Sequence, residues 1–288
     1  MDIIIIGLLL GGTYALMAMG LQLQYGVARI MNLANGEMLI AGAFGAFWFY
    51  AGTKTSPLLA LLFVVPLAFA LNWAIYRVLI LPLVRRAKNQ GKLEVDSILA
   101  TFGLSFIFIG IMVAVFGAQY TDYAYLSEAV FIFGERYGLN RVVAFLCSVV
   151  LCVGLYVWLH KTRAGLALRA ISVNPSAAGL VSINVARASA LAFALGGAVT
   201  AAGGVLLSMY LTFDASYGVV FTLKALIIVI LGGVGDIRGT ILAAFILGLA
   251  ETAVASLVDP GLTLASAYVL FMIVLLVRPE GLLGRRTA

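Results

Sequence analysis

Long apolar runs separated by short polar breaks cover nearly the whole chain, and the runs are too long for strands. They recur at 3–25, 33–51, 57–81, 97–117, 141–159, 189–212, 221–235, 239–258 and 263–277. Most are near the twenty or so residues a helix needs to cross the hydrocarbon core of a bilayer. None alternates residue by residue as barrel strands do. The pattern predicts an all-α polytopic membrane protein: a bundle of about eight or nine transmembrane helices forming one domain over residues 1–288. The segments 33–51 and 221–235 are glycine-interrupted or short, so each is a candidate half-span or re-entrant piece.

One polar, basic island interrupts the pattern, from His160 to Arg187. Lys161, Arg163 and Arg169 open it, and Asn174-Pro175-Ser176 turns it into a short helix carrying Ala177, Ala178, Gly179 and Leu180. Such a helix is too short to be stable alone. Leu166, Leu168, Leu180, Val181 and Ile183 give the island an apolar face of its own. The reading is a docking element for a partner's groove. A basic interfacial helix lying on anionic lipid is the alternative.

Composition agrees with the pattern. Of 288 residues 64% are hydrophobic and 10% charged, with a mean hydropathy of +1.13, against about 25% charged in ordinary soluble domains. The net charge of +6 reports topology rather than nucleic acid. Nine crossings with the N-terminus outside place Arg29, Arg77, Arg85, Arg86, Lys88, Lys92, Lys161, Arg163, Arg169, Arg187, Arg238, Arg278, Arg285 and Arg286 on the cytoplasmic side, leaving Lys54, Arg136 and Arg141 outside. Met1-Asp2 lacks the basic start of a cleavable signal peptide. The outer loop from Ala118 to Asn140 is expected to hold a small helix. Cys147 and Cys152 fall on different faces of one predicted helix, so neither a disulfide nor a metal site is expected.

Chemistry-bearing residues are few. Gly232, Gly233 and Gly235 together predict a helix break, and a break in a membrane is tolerated where it is buried in protein or lines a cavity. Most other glycines read as packing residues. Ionisable residues inside apolar spans are functional candidates by default. Glu37, behind Asn32, Asn35 and Gly36, reads as a carboxylate stabilised near a helix N-terminus. Lys224 is expected to snorkel to the outer surface, Asp236 and Arg238 to pair or cap at the inner boundary, and Glu251 to lie deep, facing another helix or a wet cavity. There is no phosphate-binding loop and no HExxH, and His160 is the only histidine, so no catalytic residues, cofactor or metal are expected. Any nucleotide energy must come from another chain.

Four blocks, in order, carry a resemblance: GGTYALMAMGLQLQYGVARIMNLANGEMLIAGAF, LATFGLSFIF, TRAGLALRAISVNPSAAGLVSINVARASALAFALGGAVTAAGGVLL and LIIVILGGVGDIRGTILAAFILGLAE. Together they resemble the permease subunits of bacterial ABC importers for branched-chain amino acids, in particular the shorter, high-affinity leucine/isoleucine/valine type. The resemblance implies half of a translocation pathway in the bacterial inner membrane. Its implied partners are a second homologous permease, two cytoplasmic ATPases and a periplasmic substrate-binding protein. It maps the ATPase-coupling loop onto Arg163 to Ile183, with Arg163, Arg169, Asn174, Ala177, Ala178, Gly179 and Ile183 as contact candidates. The pathway is expected near broken helices, around Gly11, Gly12, Thr13 and Tyr14 and around Gly232 to Gly239, with Asn32, Asn35 and Glu37 as further candidates. The chain departs from the family where Asn35 replaces a common His, at an acidic or polar pair near Pro175 and Ser176, and where Ser182 replaces a Gly. The first leaves open urea, short amides or other amino acids as substrates. A stand-alone channel or a secondary transporter remains the rival class, the latter needing an ion site from Glu37 or Glu251.

Overall fold

Residues 2–28 present no continuous polar face, and the fold buries the helix they form on nearly every side. In the computed structural model, which describes residues 2–87, 89–126, 128–132, 135–278 and 280–283 and only the backbone of residues 90 and 132, this helix, α1 (Asp2–Ala28), is buried continuously from Gly11 to Gln24. Lys88, Arg285 and Arg286 lie outside the described residues. A helix apolar all round belongs inside a bundle. The second buried helix is α9 (Val185–Leu207), rich in alanine and glycine. α1 packs against α9, and the pair is surrounded by α2 (Asn35–Thr53), α3 (Leu61–Ile75), α10 (Gly218–Gly232) and α11 (Ile237–Leu257). In lipid, where apolar side chains gain little from leaving the solvent, close backbone approach does the binding. A Cβ placed on Gly248 would sit 2.6 Å from the Gly7 carbonyl oxygen and 2.8 Å from the Gly11 amide, so α1 and α11 touch backbone to backbone.

The outer ring has the reverse polarity of a soluble protein. α5 (Gln90–Phe116) turns Ser97, Thr101 and Ser105 inward, four residues apart, and turns Leu99, Phe102, Phe106 and Ile111 outward. α6 (Leu139–Lys161) and α12 (Thr263–Val277) expose apolar side chains likewise. One composite helix runs from Pro57 to Arg86 through α3, a π-turn at Tyr76–Ile80 and α4 (Leu81–Arg86). Pro82 explains the π-turn: with no N–H and with a ring that crowds the preceding turn, it forces the ladder to widen.

All nine apolar segments form helices. Seven among the described residues are long and apolar enough to cross a membrane. The exceptions are α2, which starts with Asn35 and Glu37, and α10, which has 15 residues; these are the two segments singled out as weak. The chain is a multi-pass helical membrane protein. At one end of the bundle lie Asp2, Lys54, Arg141 and an antiparallel hairpin, β1 (Ala129–Ile132) with β2 (Glu135–Gly138). The helix expected in the 118–140 loop is thus replaced by strands, because Val130, Phe131 and Tyr137 favour extended pairing. Tyr137 donates to Asp2, and Thr121 bridges Phe213. Burial raises the Tyr123 phenol to about 12, with Ser208 beside it. At the opposite end lie α7 (Arg163–Val173), α8 (Pro175–Leu180), the α10–α11 turn and most of the arginines.

Candidate functional site

At the hairpin end, the ends of α1, α9, α10 and α11 enclose a cavity of about 520 Å³. Its walls are largely apolar, including Leu9, Leu10, Leu211, Val220 and Phe221, and its polar groups converge. Lys224 Nζ donates to Glu251 Oε2 at 2.8 Å and to the Tyr14 hydroxyl at 2.7 Å, while Tyr14 donates to Glu251 Oε2 at 2.7 Å. Among the described residues this is the only ion pair, with Lys224 8% and Glu251 2% exposed. Glu251 Oε1 is buried without a partner. Nearer the mouth, Thr13 and Tyr210 share a hydrogen bond of 2.7 Å, and Arg141 lies 6.0 Å above the Tyr210 ring.

Two sequence expectations are corrected here. Lys224 does not snorkel outward, because Glu251 and Tyr14 offer it partners at depth. α1 is not broken at Gly11 to Tyr14: Gly11 packs on Phe245 and Gly12 on Phe145, leaving Thr13 and Tyr14 as the residues of that set that reach polar partners. The Lys224–Glu251 meeting follows from depth only once the α10–α11 contact is known. Gly232 of α10 packs on Gly239 of α11. Counting back from that contact, Lys224 stands about 12 Å above it and Glu251 about 18 Å, within bridging reach of two long side chains. Tyr14, on a helix more than 200 positions away, gave no such signal.

A second polar cluster secures the irregular stretch 29–34 between α1 and α2. Thr101 donates to the Met31 carbonyl and accepts from Leu33 N–H; Thr222 donates to the Leu33 carbonyl and accepts from Gly36 N–H. Asn32 donates to Gln24, and Thr200 donates to Asn35. Non-helical backbone inside a membrane needs such partners. The structure therefore gathers Asn32 and Asn35 into one buried network, with Gln24, Thr101, Thr200 and Thr222 as members that sequence reasoning missed. Glu37 lies fully buried in the first turn of α2, against Gly218 at the start of α10, and among the described residues neither of its carboxyl oxygens has a hydrogen-bond partner.

Gly232, Gly233 and Gly235 form the predicted break, with Gly233 at φ 96° and Gly235 at φ 90°. It lies at the end opposite the hairpin-end cavity. Asp236 caps α11 there by accepting from Arg238 and Gly239 N–H groups, as expected, while Arg238 pairs with Tyr156 rather than with Asp236. The break borders a second cavity of about 790 Å³ lined also by Arg29, His160 and Arg169. The two stretches expected to share a pathway are thus apart: Gly11 to Tyr14 lies midway along α1, and the glycine break lies at the α7 end of the bundle.

The island 160–187 forms a capped helical unit. Thr162 caps α7, Asn174 caps α8 and Asn184 caps α9, each side chain accepting from a backbone N–H three residues on at 3.0–3.1 Å. Pro175 takes the first position of α8. Leu168, Ile171 and Ala178 are buried against Leu159 and against Leu23 and Val27 of α1, with Ile183 packed alongside. Arg163, Arg169, Asn174, Ala177 and Gly179 are exposed, as are Val173, Leu180 and Val181. Ala178 alone among the contact candidates points fully inward.

Comparison with known proteins decides the family. The model of the branched-chain amino acid transport system permease component matches residues 3–278. This chain belongs to that family. It is 30% identical to the high-affinity branched-chain amino acid transport system permease protein LivH of Salmonella typhimurium, over 97% of this chain and 94% of the relative. Identity to BraD of Pseudomonas aeruginosa, named for the same system, is 30% over the same shares. A probable branched-chain amino acid transport permease of Methanocaldococcus jannaschii is 26% identical over 93% and 88%. No solved structure matches. As a member of this permease family the chain is a transport component, matched over nearly its full length.

Proposed function

We propose that this chain forms half of the translocation pathway of an ATP-driven importer for branched-chain amino acids in the bacterial inner membrane. The observation that carries the reading is the capped α7–α8 unit. It exposes Val173, Leu180 and Val181 beside Arg169, while its buried side is wedged on Leu23 and Val27 of α1. A partner seated on the exposed side would press on the same helix that carries Tyr14 into the outer cavity. In this reading the partner is one of two cytoplasmic ATPases. A second homologous permease completes the pathway, and a periplasmic binding protein delivers substrate to the hairpin end, placing the N-terminus outside and the C-terminus in the cytoplasm. ATP-driven closure moves α7–α8 as a lever and switches access from one end to the other. A secondary transporter is less well supported, because Glu251, one of its two candidate coupling acids, is already neutralised by Lys224.

Co-purification from the native membrane tests the reading. Gly179 has open space where a side chain would grow and Leu180 is 88% exposed, so Gly179→Arg with Leu180→Glu leaves the fold intact. The wild type is expected to bring down an ATPase and a second permease, and the variant to lose the ATPase. A wild type that purifies alone, or only with itself, overturns the proposal.

A further inference from the structure

We propose that Lys224 and Glu251, held by Tyr14, form a subsite that receives the charged groups of a zwitterionic α-amino acid; this rests on the importer reading above. An ammonium group has three N–H donors and a carboxylate about four acceptor positions. Lys224 uses two donors within the triad, on Glu251 Oε2 and Tyr14. Both bonds that Glu251 receives fall on Oε2, and Oε1 is buried without a partner. The triad is therefore unsaturated on both signs, with one spare Lys224 N–H and one buried Glu251 oxygen still without a partner.

These groups line a cavity of about 520 Å³, within the range of pockets that enclose small ligands. An α-amino acid carries a carboxylate and an ammonium two bonds apart. Its carboxylate takes the free Lys224 donor, and its ammonium donates to Glu251 Oε1, which is buried in this structure and must turn toward the cavity to receive it. The side chain is left against Leu9, Leu10, Leu211, Val220 and Phe221, none of which supplies a hydrogen bond from its side chain. That part of the wall suits an aliphatic side chain, while Arg141, Tyr210, Thr212, Tyr217, Thr252 and Thr263 line the rest of the cavity. Urea and simple amides carry no net charge at either pole, so they gain little from a split ion pair.

A purely structural salt bridge explains less. α10 and α11 are already brought together where Gly232 packs on Gly239, so the pair is not required to join them. A buried bridge is also a weak source of stability, because desolvating two charges offsets most of their attraction. The orphaned Oε1 makes the pair worse still as a strut and better as a receiver.

The test uses the complete transporter in proteoliposomes, with ATP-dependent uptake of labelled leucine as the readout and co-purification of the ATPase as the check on assembly. The variants are Lys224→Met, Glu251→Gln, the double neutral variant and Tyr14→Phe. Loss of one charge-assisted contact is worth about 1.5–3 kcal/mol, roughly ten- to a hundredfold. Both single neutral variants and the double variant are expected to assemble and to lose uptake by at least about tenfold on this scale. Uptake restored in the double variant would show a pair needed only for mutual neutralisation and overturns the proposal, as do single variants that transport like the wild type. Should the charge variants not assemble, Tyr14→Phe decides, since it removes one hydroxyl from the triad: a several-fold rise in the KM for leucine supports the subsite, and an unchanged KM overturns it. A wild-type transporter that moves a neutral amide but no amino acid overturns the substrate reading and this subsite together. One that moves leucine with all variants unaffected overturns the subsite alone.

Discussion

Ser182 stands in the left-handed region at φ 63°, just past α8, with an exposed side chain. A non-glycine residue there costs about 1–2 kcal/mol, so this turn favours glycine on physical grounds. Ser182→Gly is therefore expected to stabilise the purified protein by about 1 kcal/mol, partly offset by the greater freedom of glycine in the unfolded chain; a higher midpoint in thermal unfolding checks it. Residues whose role follows from local rules were legible in this way. Asn174 and Asp236 cap the helices they precede, and Gly233 and Gly235 take the positive φ values that their crowding implied. Residues whose role depends on a distant helix were not legible. Whether Ala178 faced inward or outward depended on where Leu23 and Val27 lay, and the partners of Lys224 on the positions of Tyr14 and Glu251.

Among the elements, the stretch 29–34 is the one whose backbone depends most on its neighbours. Thr222 alone serves both the Leu33 carbonyl and the Gly36 N–H. Thr222→Val keeps the shape and removes both bonds, leaving each of those groups unpaired at a cost of about 1–3 kcal/mol. The expected outcome is a clear fall in thermal stability, with early loss of the contact between α2 and α10, measurable as faster amide exchange at the start of α2. Helix positions and lengths were readable because lipid imposes a minimum apolar run. The connections were harder. The hairpin at 129–138 was expected as a helix, since a short aromatic segment outside the membrane carries no comparable length constraint. The pair Gly11-Gly12 suggested a break, yet α1 runs straight through because Phe145 and Phe245 fill the space both glycines leave.

For the whole molecule, charge separates the two ends. Arg29, Arg169 and Arg238 line one cavity at the α7 end, and Arg77, Arg85 and Arg187 line another groove, while Lys54 and Arg141 sit with the hairpin. The asymmetry predicts orientation. In a variant stripped of Cys147 and Cys152, Lys54→Cys should react with a membrane-impermeant maleimide on intact spheroplasts, and Arg169→Cys only after permeabilisation; the reverse result would invert the assigned topology. The apolar helices on the outside and the buried polar clusters inside follow from one solvent condition, which is why fold class was legible before any contact was known.

The central place of α1 has a consequence for how the protein is made. It leaves the ribosome before the helices that enclose it, yet Gln24 bonds the Phe193 carbonyl, Gln22 the Gly233 carbonyl and Tyr14 the Glu251 carboxylate. Those partners are translated some 170 to 240 positions later, on the order of 10–50 s at 5–20 residues per second. During that interval the most completely enclosed segment of the finished protein has no neighbours to enclose it. Assembly therefore cannot be completed hairpin by hairpin along the chain: α1 reaches its final enclosure only when the second half of the chain arrives to surround it.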